Sequence, residues 1–217
     1  MHRTLISTSQ LSTCLTDPSW VVVDCRYDLR NEEWGFEQYL AGHIPSAVYV
    51  SLSKDLSGPK TATNGRHPLP DPESIADTFG RLGINRDKQV VCYDQDVGMY
   101  AARFWWMLRY LGHSAVAVVD GGLKKWTLEN YKTQSGLETN PSVTFSGTPQ
   151  QQKLLDTEQV LSGLTRSKNL LVDARAPERY QGTSEPLDRA AGHIPGARNH
   201  FFKNNLDSDN TFLPPTV

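Results

Sequence analysis

The residues best placed to do chemistry lie where a short apolar run meets an acidic loop. From Val90 to Gly112 the sequence reads VVCYD, then QDVGM, then YAARFWWMLRYLG. β-Branched residues, a glycine-containing turn and an aromatic pattern of helical period predict a buried strand, a tight loop and a helix. That unit builds an anion site, because the first helical N–H groups lack intrahelical partners and share the positive end of the macrodipole. The residue that meets this potential is Asp94. Cys92 is the thiol nearest the loop, two residues earlier. Period-2 alternation puts it on the same face of the strand but away from the helix terminus, so it reads as a small core residue, with a nucleophile as the alternative. Cys14, on a predicted helix, and Cys25, beside Asp24, have no helix N-terminus to activate them.

The elements that must position this loop recur along the chain. LISTSQLSTCL from Leu5 is echoed by LLDTEQVLSGL from Leu154, VVVDCR from Val21 by LLVDAR from Leu170, and AGHIPSA from Ala41 by AGHIPGA from Ala191. Three collinear matches identify two copies of one domain. Each copy opens with a capped helix, Ser7 or Asp156 being the N-cap, followed by an apolar strand ending in Asp-x-Arg. A helical patch from Glu32 to Leu40 precedes a Gly/Pro turn and a strand from Ala47 to Val50; a polar loop then runs to Pro70. Asp71-Pro72 caps the next helix, with Ile75, Phe79 and Leu82 on its apolar face and Gly83 at its end. Ala115 to Val119 is a further strand, and Leu123 to Trp126 a short helix. This alternation predicts an α/β fold, a mostly parallel sheet covered by helices on both faces. The expected division is a first domain over 1–132, a polar linker over 133–152, and the N-terminal part of a second domain over 153–217. Phe212-Leu213-Pro214-Pro215 aligns loosely with His67 to Pro70, and no second counterpart of Val90 to Trp126 follows. The second copy is thus expected to be incomplete, leaving apolar surface for a partner chain or fragment to cover.

At 217 residues and 38% hydrophobic the chain can bury a large core, and a net charge of −2 gives no basic face for nucleic acid or an anionic membrane. No apolar run is long enough for a signal h-region or a membrane span. Three widely spaced cysteines fit neither a disulfide framework nor a zinc site, and point to a reducing, cytoplasmic setting.

Val23-Asp24-Cys25-Arg26, the two AGHIP turns, Gly65-Arg66-His67-Pro68-Leu69-Pro70, Asp94 with Ala101 to Arg109, and Asp120-Gly121-Gly122-Leu123-Lys124-Lys125-Trp126 resemble the tandem-domain rhodaneses, the thiosulfate and 3-mercaptopyruvate sulfurtransferases. The resemblance covers nearly the whole chain. It implies two rhodanese-like domains and a cysteine at the strand end of the second, with Asp at that place in the first. A thiolate facing helix N–H groups is ionised near neutrality, takes the outer sulfur of a donor as a persulfide, and passes it to a thiol or cyanide. A carboxylate there satisfies the donors but is a poor sulfur nucleophile, and would repel an anionic donor by roughly 4 kcal/mol at about 4 Å.

By the same resemblance Arg179 holds the small anionic sulfur donor, with a surface ion pair as the plainer reading. Some family members place an arginine after a Glu-Pro pair; here Glu185-Pro186 is followed by Leu187, and Arg189 is the nearest substitute, which favours thiosulfate over 3-mercaptopyruvate. His67 falls where some members carry a proton-handling histidine, and Arg66 would add positive field; a plain loop fits both equally. His43, His193 and the Asp24–Arg26 and Asp173–Arg175 pairs recur in both copies and read as structural. Trp105 and Trp106 diverge by about 100° on their helix, so at least one should enter the core. Neither a metal nor an organic cofactor is implied. The expectation is a sulfurtransferase whose catalytic cysteine lies outside these 217 residues, which alone are inactive. The alternative is a non-catalytic rhodanese module used for binding or regulation.

Overall fold

Valine-rich runs give the strands that carry the first copy. In the computed structural model, which describes residues 1–164 and 170–214, β2 (Trp20–Asp24), β4 (Gln89–Tyr93) and β5 (Val116–Val119) form the centre of a sheet, with β3 (Val48–Tyr49) and β1 (Leu5–Ile6) at its edges. The order is β1-β5-β4-β2-β3 and every pairing is parallel. Side-chain alternation then divides the core between two faces. Val21, Val23, Val90, Cys92, Val116 and Val118 lie on one, with Ile75 and Phe79 of α3 (Pro72–Arg81) and Phe104, Met107 and Leu108 of α4 (Met99–Tyr110). Val22, Val91, Tyr93, Ala117 and Val119 lie on the other, with Leu11 of α1 (Thr8–Ser12) and Trp126 of α5 (Gly122–Leu128). α2 (Trp34–Ala41) leads into the AGHIP turn. The chain leaves β2 for β3 on one side and returns as β4 on the other. The carboxyl ends of β2 and β4 therefore flank a switch point, where open α/β sheets form their crevices.

One sequence expectation is extended here and another changes. The helix capped by Ser7 is present over Thr8–Ser12, and Leu5 and Ile6 before it, assigned to no element by the sequence, form the edge strand β1 against Val118 and Val119. Two residues are too few for periodicity to separate strand from helix. The compact unit also runs from Met1 to Gln150, so most of the segment expected as a linker over 133–152 belongs to the first domain. Gln134 exchanges backbone hydrogen bonds with His43, Val143 N–H donates to Gly80, Thr148 to Leu111 and Gln150 to Tyr110. Phe145 is buried edge-on to Phe79, ring centroids 5.2 Å apart. Gly80 shows why this strap fits: a Cβ there would lie 2.4 Å from the Val143 carbonyl oxygen.

The second unit, Gln151–Val217, holds α6 (Thr157–Gly163), β6 (Val172–Asp173), α7 (Pro177–Gln181) and β7 (Arg198–Asn199). β6 pairs with β7 in the register of β2 with β3: Val172 opposes Arg198 where Val23 opposes Val48. The capping boxes at Ser7 and Asp156 are both present. Pro215, the last residue of the loose alignment with His67 to Pro70, lies outside the described residues. No helix of the described residues is long and apolar enough to cross a membrane, and among them no cluster of side chains is arranged to hold a metal ion.

Candidate functional site

Asp94 directly follows β4 and is buried in a loop closed by Gly98, which takes a left-handed conformation before α4. One carboxyl oxygen accepts from the N–H groups of Asp96 (3.2 Å) and Gly98 (2.9 Å), the other from Tyr100 (2.8 Å) and Ala101 (3.3 Å). Burial pushes this carboxyl above the usual carboxylate range, and the four N–H groups oppose that push. The loop is fastened from its other side by the Asp120-Gly121-Gly122 turn. Leu123 N–H donates to the Asp94 carbonyl and Lys124 N–H to that of Gln95, both at 2.9 Å. Gly122 has φ +57°, and a Cβ there would lie 2.7 Å from the Asp94 carbonyl oxygen.

The loop carrying His67 is held by α4 as well. Arg103 donates through Nε and Nη2 to the Leu56 carbonyl and through Nη2 to those of His67 and Pro68. His67 meets Tyr27 edge-on at 6.1 Å, Tyr27 in turn meets Tyr100 at 5.7 Å, and Gln95 Nε2 donates to the Tyr27 carbonyl at 2.8 Å. A chain of contacts thus runs from the Asp94 loop to His67. Burial and the nearby Arg103 and Arg66 guanidiniums lower the His67 pKa, which favours the neutral, proton-accepting imidazole. Tyr27, Ser57, Lys60, Arg66 and His67 line a cavity of about 350 Å³. Tyr27, Gln95 and Arg103 were not singled out by sequence. The available signals were the position of Tyr27 directly after Asp-x-Arg and of Gln95 directly after Asp94.

Cys92 is fully buried, its Sγ 3.4 Å from the Ala101 carbonyl, and Cys25 is buried on the same face of the sheet. Burial pushes the Cys25 thiol well above its usual range. Cys14 is partly exposed on the turn after α1, beside Thr13. None of the three occupies the ring of N–H groups that holds Asp94.

The paired features of the two copies are framework. Asp24 and Arg26 form a buried bidentate pair that also takes the Tyr93 hydroxyl, and Arg26 donates to the Gly42 carbonyl at 2.8 Å. Asp173 and Arg175 repeat it, Arg175 reaching the Gly192 carbonyl at 2.7 Å. His43 stacks on Tyr39 and donates from Nδ1 to its carbonyl; His193 does the same to Tyr180, each hydrogen bond 2.7 Å long. Trp105 and Trp106 are both half-buried against the core; Trp106 stacks on Tyr110.

Arg179 takes the arrangement of the plainer reading. Its Nε and Nη2 donate to Glu185, and Nη2 also to Asp188 at 2.7 Å. Glu185 accepts besides from the Leu187 and Asp188 N–H groups, and the Arg179 guanidinium holds its pKa low. Arg189 is exposed on the same loop.

A family model described as "Rhodanese-like domain" matches residues 7–129. A Pseudomonas aeruginosa protein named "Probable 3-mercaptopyruvate sulfurtransferase" is 40% identical over 213 residues, spanning 97% of this chain and 75% of that protein. The thiosulfate sulfurtransferase of Bos taurus is 33% identical over 220 residues, spanning 96% and 72%. Among solved structures, SseA from Escherichia coli, described by "the 'Rhodanese' fold and catalytic mechanism of 3-mercaptopyruvate sulfotransferases", superposes with a TM-score of 0.84 at 28% identity, covering 98% of this chain and 80% of that one.

Proposed function

Because the chain belongs to the rhodanese family, whose similar members carry sulfurtransferase names, we propose that it forms part of a sulfurtransferase moving sulfane sulfur by way of a cysteine persulfide. The donor is thiosulfate, or 3-mercaptopyruvate as the second choice, and the acceptor a thiol or cyanide. The observation that carries this reading is the ring of four N–H groups around Asp94, the environment that would keep a thiolate and its persulfide charged. In the first copy that environment is filled by the protein's own carboxyl group, so this copy is non-catalytic. The nucleophile then belongs to the equivalent loop of the second copy, outside these residues. A donor anion would reach Arg179 by displacing Asp188, while Glu185 keeps the guanidinium in place, and Arg189 on the same loop supplies further positive charge. Within the first unit, His67 is the proton-handling group, with Arg66 beside it in the wall of the same cavity. A reducing cytoplasm suits the three unpaired thiols.

The test is thiocyanate formation from thiosulfate and cyanide, and pyruvate release from 3-mercaptopyruvate, by the 217-residue chain. No turnover above the buffer rate is expected. Turnover that disappears in the Cys92→Ser variant would overturn the assignment of Asp94 to the idle position. A second reading, a binding module, draws on the cavity under the His67 loop, with Lys60, Arg66 and His67, and also Glu32, in its wall. Anion binding there without turnover in any longer form of the protein would favour it.

A further inference from the structure

A histidine accepts a proton only at a ring nitrogen that carries none, so the tautomer of His67 sets where it can act. The neighbouring hydroxyl of Ser57 bears on that choice. Ser57 has one hydroxyl proton, and its Oγ donates it to the Leu52 carbonyl at 2.7 Å. The same oxygen lies 3.4 Å from Nδ1 of His67. With its own proton already placed, Ser57 meets that nitrogen as an acceptor, and Nδ1 then carries the ring proton. A neutral imidazole has a single N–H, which leaves the lone pair on Nε2. Nε2 has no hydrogen-bond partner among the described residues, yet it is not buried; it opens into the cavity that His67 lines.

We propose that Ser57 is the positioning residue of His67, fixing the ring so that Nε2 is the nitrogen that takes a proton from a thiol in the cavity. The backbone holds the two residues face to face. Arg103 binds the Leu56 carbonyl, directly before Ser57, and the carbonyls of His67 and Pro68. Gly58 N–H donates to the Pro68 carbonyl at 2.9 Å, and a Cβ on Gly58 would lie 3.2 Å from Pro70 Cα. Ser57 and His67 therefore meet across a loop that is closed on both sides of them. A hydroxyl also does something that a carboxylate would not. It orients the ring without stabilising the charged form. The charged groups that reach the ring are Arg103 from α4, Arg66 and Lys60 from the same loop, and Glu32 from the segment before α2. Three cations against one acid keep His67 a neutral base near pH 7. The role rests on the reading of His67 as the proton-handling group, but the ring can be observed without turnover, so either can fail while the other stands.

The test is nitrogen NMR of the imidazole rings in the 217-residue chain labelled at histidine, with His67→Asn identifying the signals. At pH 7.5 the His67 ring should show a protonated Nδ1 and an unprotonated Nε2. Ser57→Ala should shift the tautomer ratio toward protonated Nε2 by roughly fivefold, the worth of one ordinary hydrogen bond. Ser57→Thr keeps the hydroxyl and should restore the parent's ratio. Ser57→Asp should raise the proton affinity of the ring by about tenfold or more, read as a higher titration midpoint. None of these signals would move if Ser57 only packed the loop. Three results would overturn the proposal: a protonated Nε2 in the unmodified chain, a Ser57→Ala variant with the parent's tautomer ratio, or a Ser57→Asp midpoint no higher than the parent's. The first needs no substitution, so the proposal stays decidable even where a variant does not fold.

Discussion

Asp94 is held by geometry that would suit a different side chain, and this makes single substitutions informative. Asp94→Ala leaves four N–H groups without their acceptor, those of Gly98 and Ala101 buried, and at about 1–3 kcal/mol for each buried one not rescued by water the first unit should lose roughly 2 kcal/mol or more in urea unfolding. Asp94→Cys should instead gain chemistry. Incubated with thiosulfate, it is expected to gain the mass of one sulfur, lost again on adding cyanide, whereas the parent chain gains none; an unmodified variant that is still folded by circular dichroism would argue against the ring of N–H groups as a thiolate site. Histidine supplies the pH dependence. His67 and His113 both have pKa values lowered mainly by burial, so between the folded value and about 6.5 the unfolded chain binds more protons. Stability should be full above that window and fall as pH drops through it, read as a lower urea midpoint at pH 5.5 than at pH 7.5; His67→Asn should flatten the slope. Asp94 was legible from sequence because strand, glycine and helix are all local signals. An ion pair at Arg179 was readable only as the plainer alternative and its partners were not readable, because Glu185 and Asp188 approach it only once the loop after α7 has folded back.

The elements around the site act in pairs, and each pair has a weak point. Gly122 lets α5 close on the Asp94 loop, and its left-handed backbone leaves no room for a side chain. Gly122→Val should therefore cost about 2 kcal/mol or more, checked by thermal unfolding, and should raise amide exchange at 94–98. Arg103 ties three carbonyls of the loop from Leu56 to Pro68 to one helix. Arg103→Lys keeps the charge but loses the fork, so limited proteolysis should cut faster between residues 59 and 66. Helices with caps and an amphipathic face, such as Pro72–Arg81, were readable in the sequence from Asp71, Pro72 and the Ile75–Phe79 spacing. The edge strand Leu5–Ile6 was not, since its identity is decided by Val118 and Val119 far along the chain. The tyrosine–histidine stack shows the same limit. His43 finds Tyr39 four residues back and His193 finds Tyr180 thirteen back, so the contact is conserved in space between the copies while the spacing is not.

The chain divides into two compact units, Met1–Gln150 and Gln151–Val217, and its unfolding should show this. Two transitions are expected in urea, the earlier one confined to residues after Gln150, with amide exchange following the same division. The boundary itself is testable. A fragment of residues 1–150 should match the late transition of the intact chain, while one ending at 132 loses Phe145 and its strap and should unfold earlier by at least the roughly 3 kcal/mol expected of Phe145→Ala. The polar composition that suggested a linker was real, but composition does not record that Val143, Thr148 and Gln150 each donate a backbone hydrogen bond to the first domain. The strap also has a consequence in time. Synthesis proceeds from the N-terminus at roughly 5–20 residues per second, and every strand of the first sheet has been made by Val119. The core is sealed only when Phe145 arrives, so the nascent chain passes about a second or more with its sheet built and one wall open, and the interval is set by the ribosome.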